Sequence, residues 1–227
     1  MGTVSLILGE SGTGKTASLR HLNPKTCLLI QSIQKPLPFP AKAWRPWETK
    51  DPHSSIYVSD LWQPVKMALA RAYSYGKRIA VVDDFQYIMA NEFMRRGEEK
   101  SYEKFTEIAH HTWDILQHTI HHTPPDLRVY FLSHTEETGS GKIKMKTVGK
   151  LLDEKITLEG MFTTVLRTCV KDGRYLLSTQ NNGFDTVKSP MGLFDSAEID
   201  NDLSFVDAAL CDYYQLTPSK NTTGAIA

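Results

Sequence analysis

An α/β fold with a mostly parallel central sheet is what this chain of 227 residues predicts, and three observations carry that expectation. Four short runs are apolar almost throughout: VSLIL (residues 4–8), TCLLIQ (26–31), RIAVVD (78–83) and LRVYFLS (127–133). Strands without a polar face are buried on both sides, as in a sheet covered by helices above and below. Between these runs lie helical periods, the clearest at residues 101–122, where Phe105, Ile108, Ala109, Trp113, Leu116 and Ile120 recur on one stripe. The first apolar run also leads directly into a glycine-rich loop and a helix start, the order from which phosphate sites are built.

That loop is GESGTGKT, residues 9–16. It fits the Walker A pattern of a glycine, four free positions, then glycine, lysine and serine or threonine. In such a loop, successive backbone N–H groups from Gly9, Glu10, Ser11, Gly12, Thr13 and Gly14 converge on an anion. Lys15 is placed to reach the β- and γ-phosphates, and the Thr16 hydroxyl to help hold Mg2+. TASLRHL, from Thr16 onward, is expected to continue as the helix.

The next strand is TCLLIQ. KPLPFPAKAWRPWETKDPHSS (35–55) follows with five prolines and two tryptophans and no period, an irregular excursion in which Trp44 and Trp47 are expected to pack on the body of the protein. SIYVSD (55–60) is a short strand, with Asp60 expected to cap a helix that ends at Gly76. RIAVVDD (78–84) places two aspartates at a strand end after four apolar residues, the Walker B pattern. Asp83 is expected to hold Mg2+ and Asp84 to orient the attacking water. TPP (123–125) breaks the long helix, and its histidines, His118 and His122 one turn apart among them, are expected to form a polar face rather than a zinc site.

LRVYFLSH ends at Ser133 and His134, where a polar side chain beside the phosphate-binding tip would sense the γ-phosphate; His134 is the first candidate. GSGKIKMKTVGK (139–150) then gathers Lys142, Lys144, Lys146 and Lys150 without an acid. A mobile basic loop here would couple nucleotide state to a polyanion, although a solvated charge run is the commoner explanation and the one that spacing alone favours slightly. Asp172-Gly173, between two further apolar runs, is the strongest short hairpin signal, so the sheet is expected to close with antiparallel strands. Residues 1–212 are expected to form a single domain and 213–227 a disordered tail.

The formal net charge is zero, so no global field advertises nucleic acid or membrane, and any such partner must be met by a local patch. No apolar stretch has the length of a bilayer span. Three separated cysteines lack metal-ligand spacing and fit a reducing cytoplasm.

The ordered set LILGESGTGKT, VVDDFQYIM, YFLSHTEE, KTVGKLLDEKI and QNNGFDTVKSPMGLF resembles the phage-encoded RecA-like AAA ATPases that include the Sak-four type of single-strand annealing protein. The resemblance extends from about Val4 to Phe194. It implies a single RecA-like P-loop core that binds ATP and Mg2+ and acts on single-stranded DNA in phage recombination or replication. It also implies self-association into a ring or filament, a phage single-strand binding protein as a further partner, and the cytoplasm of a bacterial host as the location. In such assemblies a basic residue from a neighbour touches the γ-phosphate; Lys188 matches that region, with Arg167 and Arg174 as competitors. One departure stands out: RecA-like recombinases place a catalytic glutamate after the second strand, where this chain has Gln31 and Gln34. Hydrolysis is therefore expected to be slow or to rely on Asp84. A small-molecule P-loop kinase and a helicase-loader-like ATP switch are the alternatives, whereas the NKxD tetrad of a GTPase is missing.

Overall fold

The apolar runs become the centre of one sheet. The structure, a computed structural model describing residues 2–217, contains β1 (Thr3–Gly9), β2 (Cys27–Gln31), β3 (Ile56–Val58), β4 (Ile79–Asp83) and β5 (Arg128–Glu137), then β6 (Ile143–Met145), β7 (Thr164–Lys171), β8 (Arg174–Ser178) and β9 (Glu198–Asp200). They lie in the order β3-β2-β4-β5-β1-β7-β8-β9, with β6 paired to β5 beyond this path. Pairings from β3 through β7 are parallel, while β7–β8 and β8–β9 are antiparallel, as the hairpin signal requires. Asp172 and Gly173 form that turn with φ of 51° and 74°, the left-handed pair that matches strand twist.

Alternation along the strands divides the core between two faces. Leu6 and Leu8 of β1 face a cluster with Val65, Leu69, Ile88, Met89, Ile108 and Leu116, from α1 (Trp62–Ala72), α2 (Gln86–Arg95) and α3 (Glu103–His122). Ile7 faces the other side, with Leu19, Leu203, Val206 and Leu210, the last three from α4 (Leu203–Tyr214). Each such aliphatic side chain contributes about 1.5–3 kcal/mol by leaving water.

The sheet's polar anchor lies under β5. Arg128 is fully buried and donates to both Asp207 carboxylate oxygens, at 2.9 and 2.7 Å, and the Tyr130 hydroxyl donates to Asp207 at 2.8 Å. A buried charge is tolerated here because its partner satisfies it bidentately. The pair fixes α4, and with it the chain's last described turn, to the middle of the sheet.

The proline-rich excursion is packed, as expected. Trp44 is buried, and Trp47 meets Tyr75 edge to face with ring centres 5.0 Å apart. The fully buried Lys77 secures it by donating to the carbonyls of Lys25, Pro52 and Ser54 at 3.0, 3.2 and 2.6 Å.

Several expectations are corrected. The segment after the glycine-rich loop is not an α-helix but a six-residue 3-10 helix, Thr16–His21. The Ser18 hydroxyl donates to the Lys15 carbonyl at 2.6 Å, competing with helical pairing, and Leu22 is already extended ahead of Pro24. Asp60 does not cap α1; it accepts from Asn91 and Arg95 of α2 at 2.7 and 2.6 Å. On α3, Trp113 faces outward while Lys104, Thr112 and Thr119 are buried. The two threonines satisfy their hydroxyls on carbonyls four residues back, which lets polar residues take inward positions. Residues 213–217 are ordered: Tyr213 and Tyr214 finish α4, and the Thr217 carbonyl accepts from Arg128 at 3.2 Å. The rest of the expected tail, 218–227, lies outside the described residues.

Candidate functional site

Parallel pairing brings the chemistry-bearing strand ends to one edge. In the β1–β5 register Gly9 stands opposite His134, and β4, ending at Asp83, lies on the far side of β5. A cavity of about 510 Å³ opens there, lined by Ser11, Gly12, Gly14, Lys15, Thr16, Ala17, Lys35, Pro36, Pro38, Asp84, His134 and Tyr175.

The loop's shape is dictated by two close approaches. A Cβ on Gly9 would come within 1.9 Å of Thr168 Oγ1, and one on Gly14 within 2.5 Å of Asn201 Nδ2. Gly14 also has φ of 93°, which side chains other than glycine rarely adopt. The loop is held from behind by the antiparallel strands. Thr13 and Thr168 hydroxyls lie 2.6 Å apart, and Asn201 donates to the Gly14 carbonyl at 2.8 Å.

Lys15 is buried and donates to the carbonyls of Gly9 and Glu10, both at 2.8 Å. Burial lowers its pKa to about 8, despite the opposing pull of Asp84 and Asp83. A buried ammonium whose hydrogen bonds go only to neutral carbonyls gains when an anion approaches. The Thr16 hydroxyl donates to Asp83, at 2.9 Å to one oxygen and 3.2 Å to the other. Burial, reinforced by Asp84, pushes the Asp83 carboxyl up to about 6. A hydroxyl and a desolvated carboxylate side by side are the oxygen donors that suit Mg2+, whose charge would offset the burial.

Asp84 follows in the left-handed region, with φ of 58°, an uncommon conformation that costs on the order of 1–3 kcal/mol. Its carboxylate is turned onto two side chains: the Lys35 ammonium at one oxygen and the His134 ring nitrogen Nε2, 3.3 Å away, at the other. Burial alone would raise the Asp84 pKa, but hydrogen bonds from His134 and Lys35 outweigh it and hold it at about 2. Of the two sensor candidates, His134 lines the cavity. Ser133 is fully buried and donates instead to Gln86 at 3.2 Å. Gln86 also accepts the His134 backbone N–H at 3.1 Å, so α2 positions this strand tip.

Part of the lysine segment is a strand rather than loop. Residues 143–145 form β6, antiparallel to β5, with Lys144 opposite Glu136 and their charged groups 3.5 Å apart. Lys142 and Lys146 are exposed on either side, and Lys150 lies further along. Lys146 donates its backbone N–H to the His134 carbonyl at 2.9 Å, so the basic hairpin is continuous with the cavity wall.

The basic residues expected from a neighbour are not gathered at this chain's own cavity. Lys188 exchanges both backbone hydrogen bonds with Val165 on β7, Arg167 is paired with Asp185 at 3.1 Å, and Arg174 is exposed beside Asp200. Gln31 is buried and donates to the Lys35 carbonyl at 3.0 Å.

Sequence reasoning missed Lys35, Pro36, Pro38 and Tyr175 as cavity residues. The prolines interrupted every period, so nothing local marked Lys35 as the partner of an aspartate 49 positions later. No helix among the described residues is long and apolar enough to cross a membrane. No family model matches the chain, and no curated protein matches it significantly.

Proposed function

We propose that the protein is a RecA-like ATPase that uses ATP binding and hydrolysis to control its hold on single-stranded DNA. The observation that carries this reading is the convergence of Lys15, Thr16 and Asp84 on one cavity at the sheet's edge, with the buried Asp83 behind Thr16 accepting its hydroxyl. A triphosphate fits the chemistry on offer: backbone amides and Lys15 for phosphate oxygens, and a carboxylate for a water molecule. Thr16 and Asp83 are the residues that would hold Mg2+, which when bound neutralises charge on the phosphates. Lys15 gives up the Gly9 and Glu10 carbonyls for phosphate oxygens. Asp84 orients water toward the terminal phosphorus, a bond forms from the water oxygen as the bond to the bridging oxygen breaks, and ADP, phosphate and the water's proton are released.

The DNA half of the reading is supported by β5, which runs unbroken from His134 at the cavity to Glu137 beside β6. A change in what His134 touches is thereby one backbone hydrogen bond from Lys146, a short route from nucleotide state to a polyanion contact. The resemblance of the ordered motifs to phage recombination ATPases supports the same direction, including a role for Lys188 across a subunit interface.

The test is ATP hydrolysis with and without single-stranded DNA at two salt concentrations, beside Lys15→Ala. Lys15-dependent turnover that DNA stimulates, less at high salt, is the expected result. Turnover indifferent to DNA, with no DNA binding in ATP, sinks the reading. The ATP-switch alternative has one observation in its favour, the Lys35 ammonium on Asp84, and would show as tight ATP binding with negligible turnover.

A further inference from the structure

Lys35 stands just beyond β2 and puts its ammonium on Asp84 at the cavity wall. Its backbone is fixed from two sides: Gln31 donates to its carbonyl at 3.0 Å, and Pro36 restricts the residue to extended conformations. Its side chain is less confined, being 40% exposed where that of Asp84 is 5%. The ammonium can therefore change partner by rotation of a flexible four-carbon stem, without the segment moving.

The two lysines approach the cavity from different elements. Lys15 belongs to the loop that follows β1, whereas Lys35 reaches the carboxylate that follows β4. In a hydrolytic site the water-orienting carboxylate faces the terminal phosphorus, so a cation resting on it lies beside the terminal phosphate's oxygens. A carboxylate and a phosphate oxygen are equivalent acceptors for an ammonium, and exchanging one for the other keeps a charge-assisted hydrogen bond.

We propose that Lys35 is a second phosphate ligand supplied by this same chain. It moves from Asp84 to the terminal phosphate of a nucleoside triphosphate, so that the cavity distinguishes triphosphate from diphosphate and Asp84 is released toward water only when a terminal phosphate is present. Asp84 keeps His134, 3.3 Å from its other oxygen, and is not left without a partner. The proposal rests on the nucleotide reading above and deepens it by naming what the site selects. It also gives the proline-rich excursion a task, since Pro36 and Pro38 line the cavity beside the lysine.

The experiment is calorimetric titration of the full chain with Mg2+ and either ADP or a non-hydrolysable ATP analogue. Wild type is compared with Lys35→Met, which keeps the stem, Lys35→Arg, and Lys15→Ala. In Lys35→Met the analogue's affinity is expected to fall about tenfold or more, the loss typical of one hydrogen bond to a charged group. ADP should stay within about twofold of wild type on the same reasoning, and Lys35→Arg should recover most of the loss. Lys35→Gln, which keeps a donor for Asp84 without the charge, replaces the methionine variant if that one melts early, with the same expectation. Equal losses for the two nucleotides, or none, in a protein whose binding needs Lys15 would overturn the role of Lys35 and leave the nucleotide reading intact. If wild type binds neither nucleotide, or Lys15→Ala binds as well as wild type, the nucleotide reading fails and the proposal falls with it.

Discussion

Lys146 donates its backbone N–H to the carbonyl of His134 across 2.9 Å, and the same His134 holds its ring 3.3 Å from Asp84. One residue thus touches the basic hairpin through its backbone and the cavity through its side chain. Replacing Lys144 and Lys146 together by alanine is expected to weaken single-stranded DNA binding and flatten its salt dependence. For every phosphate that the variant no longer neutralises, the slope of log affinity against log salt becomes shallower by about 0.7. Fluorescence anisotropy across a salt series, with an ATP analogue present, reads both quantities. An unchanged slope would assign these lysines to a solvated face.

Asp83 supplies a pH prediction. Burial raises its pKa to about 6 from an ordinary 3.8, so between these values the folded protein binds the proton more readily than the unfolded chain. The penalty therefore grows as pH rises through that window and is complete above about 6. Asp83→Asn is expected to raise stability above pH 7 by roughly 1–3 kcal/mol, with little change near pH 4, while abolishing hydrolysis. Denaturant melts at the two pH values, with activity measured in parallel, decide it.

The Gly9–Thr168 approach predicts a coupled pair. Gly9→Ala alone is expected to cost about 1–3 kcal/mol through overpacking and to weaken nucleotide binding, because its Cβ would meet Thr168 Oγ1 at 1.9 Å. Adding Thr168→Ala removes the obstructing hydroxyl and should restore part of both. A double-mutant cycle in urea measures the coupling, and strict additivity would contradict the packing described.

Lys77 carries a stability prediction separate from the site. Lys77→Met would leave three carbonyls without their donor, and a loss of about 2–4 kcal/mol is expected. Hydrolysis per folded molecule should change little, since the carbonyls it holds, those of Lys25, Pro52 and Ser54, belong to residues outside the cavity lining. Chemical denaturation and a specific-activity assay on the folded fraction separate the two effects.

What the sequence made legible was whatever is encoded locally. VSLIL, CLLIQ, IAVVD and LRVYFLS declare buried strands because they are apolar almost throughout, and Asp172-Gly173 declares a hairpin because few other pairs accept two positive φ angles. Lys15, Thr16 and Asp83 were readable because a glycine-rich loop and a strand-end carboxylate have fixed spacing. The shortness of the helix after the loop was written in Ser18 and Pro24, whose effects on helical pairing are weak beside a strong motif. The strand at 143–145 was obscured by treating its lysines apart from Glu136, which pairs across to Lys144. Lys35 on Asp84 was beyond local reading altogether, since only the adjacency of β2 and β4 brings them together.

The clasp of Thr168 and Asn201 on the glycine-rich loop has a bearing on how the protein is made. The motif itself is finished within the first 16 residues, yet the side chains that hold its back arrive more than 150 residues later. A nascent or truncated chain carries the signature without the receptor. On the nucleotide reading proposed above, competence to bind would then require translation to have reached Thr168 and Asn201, and partly made copies would lack it.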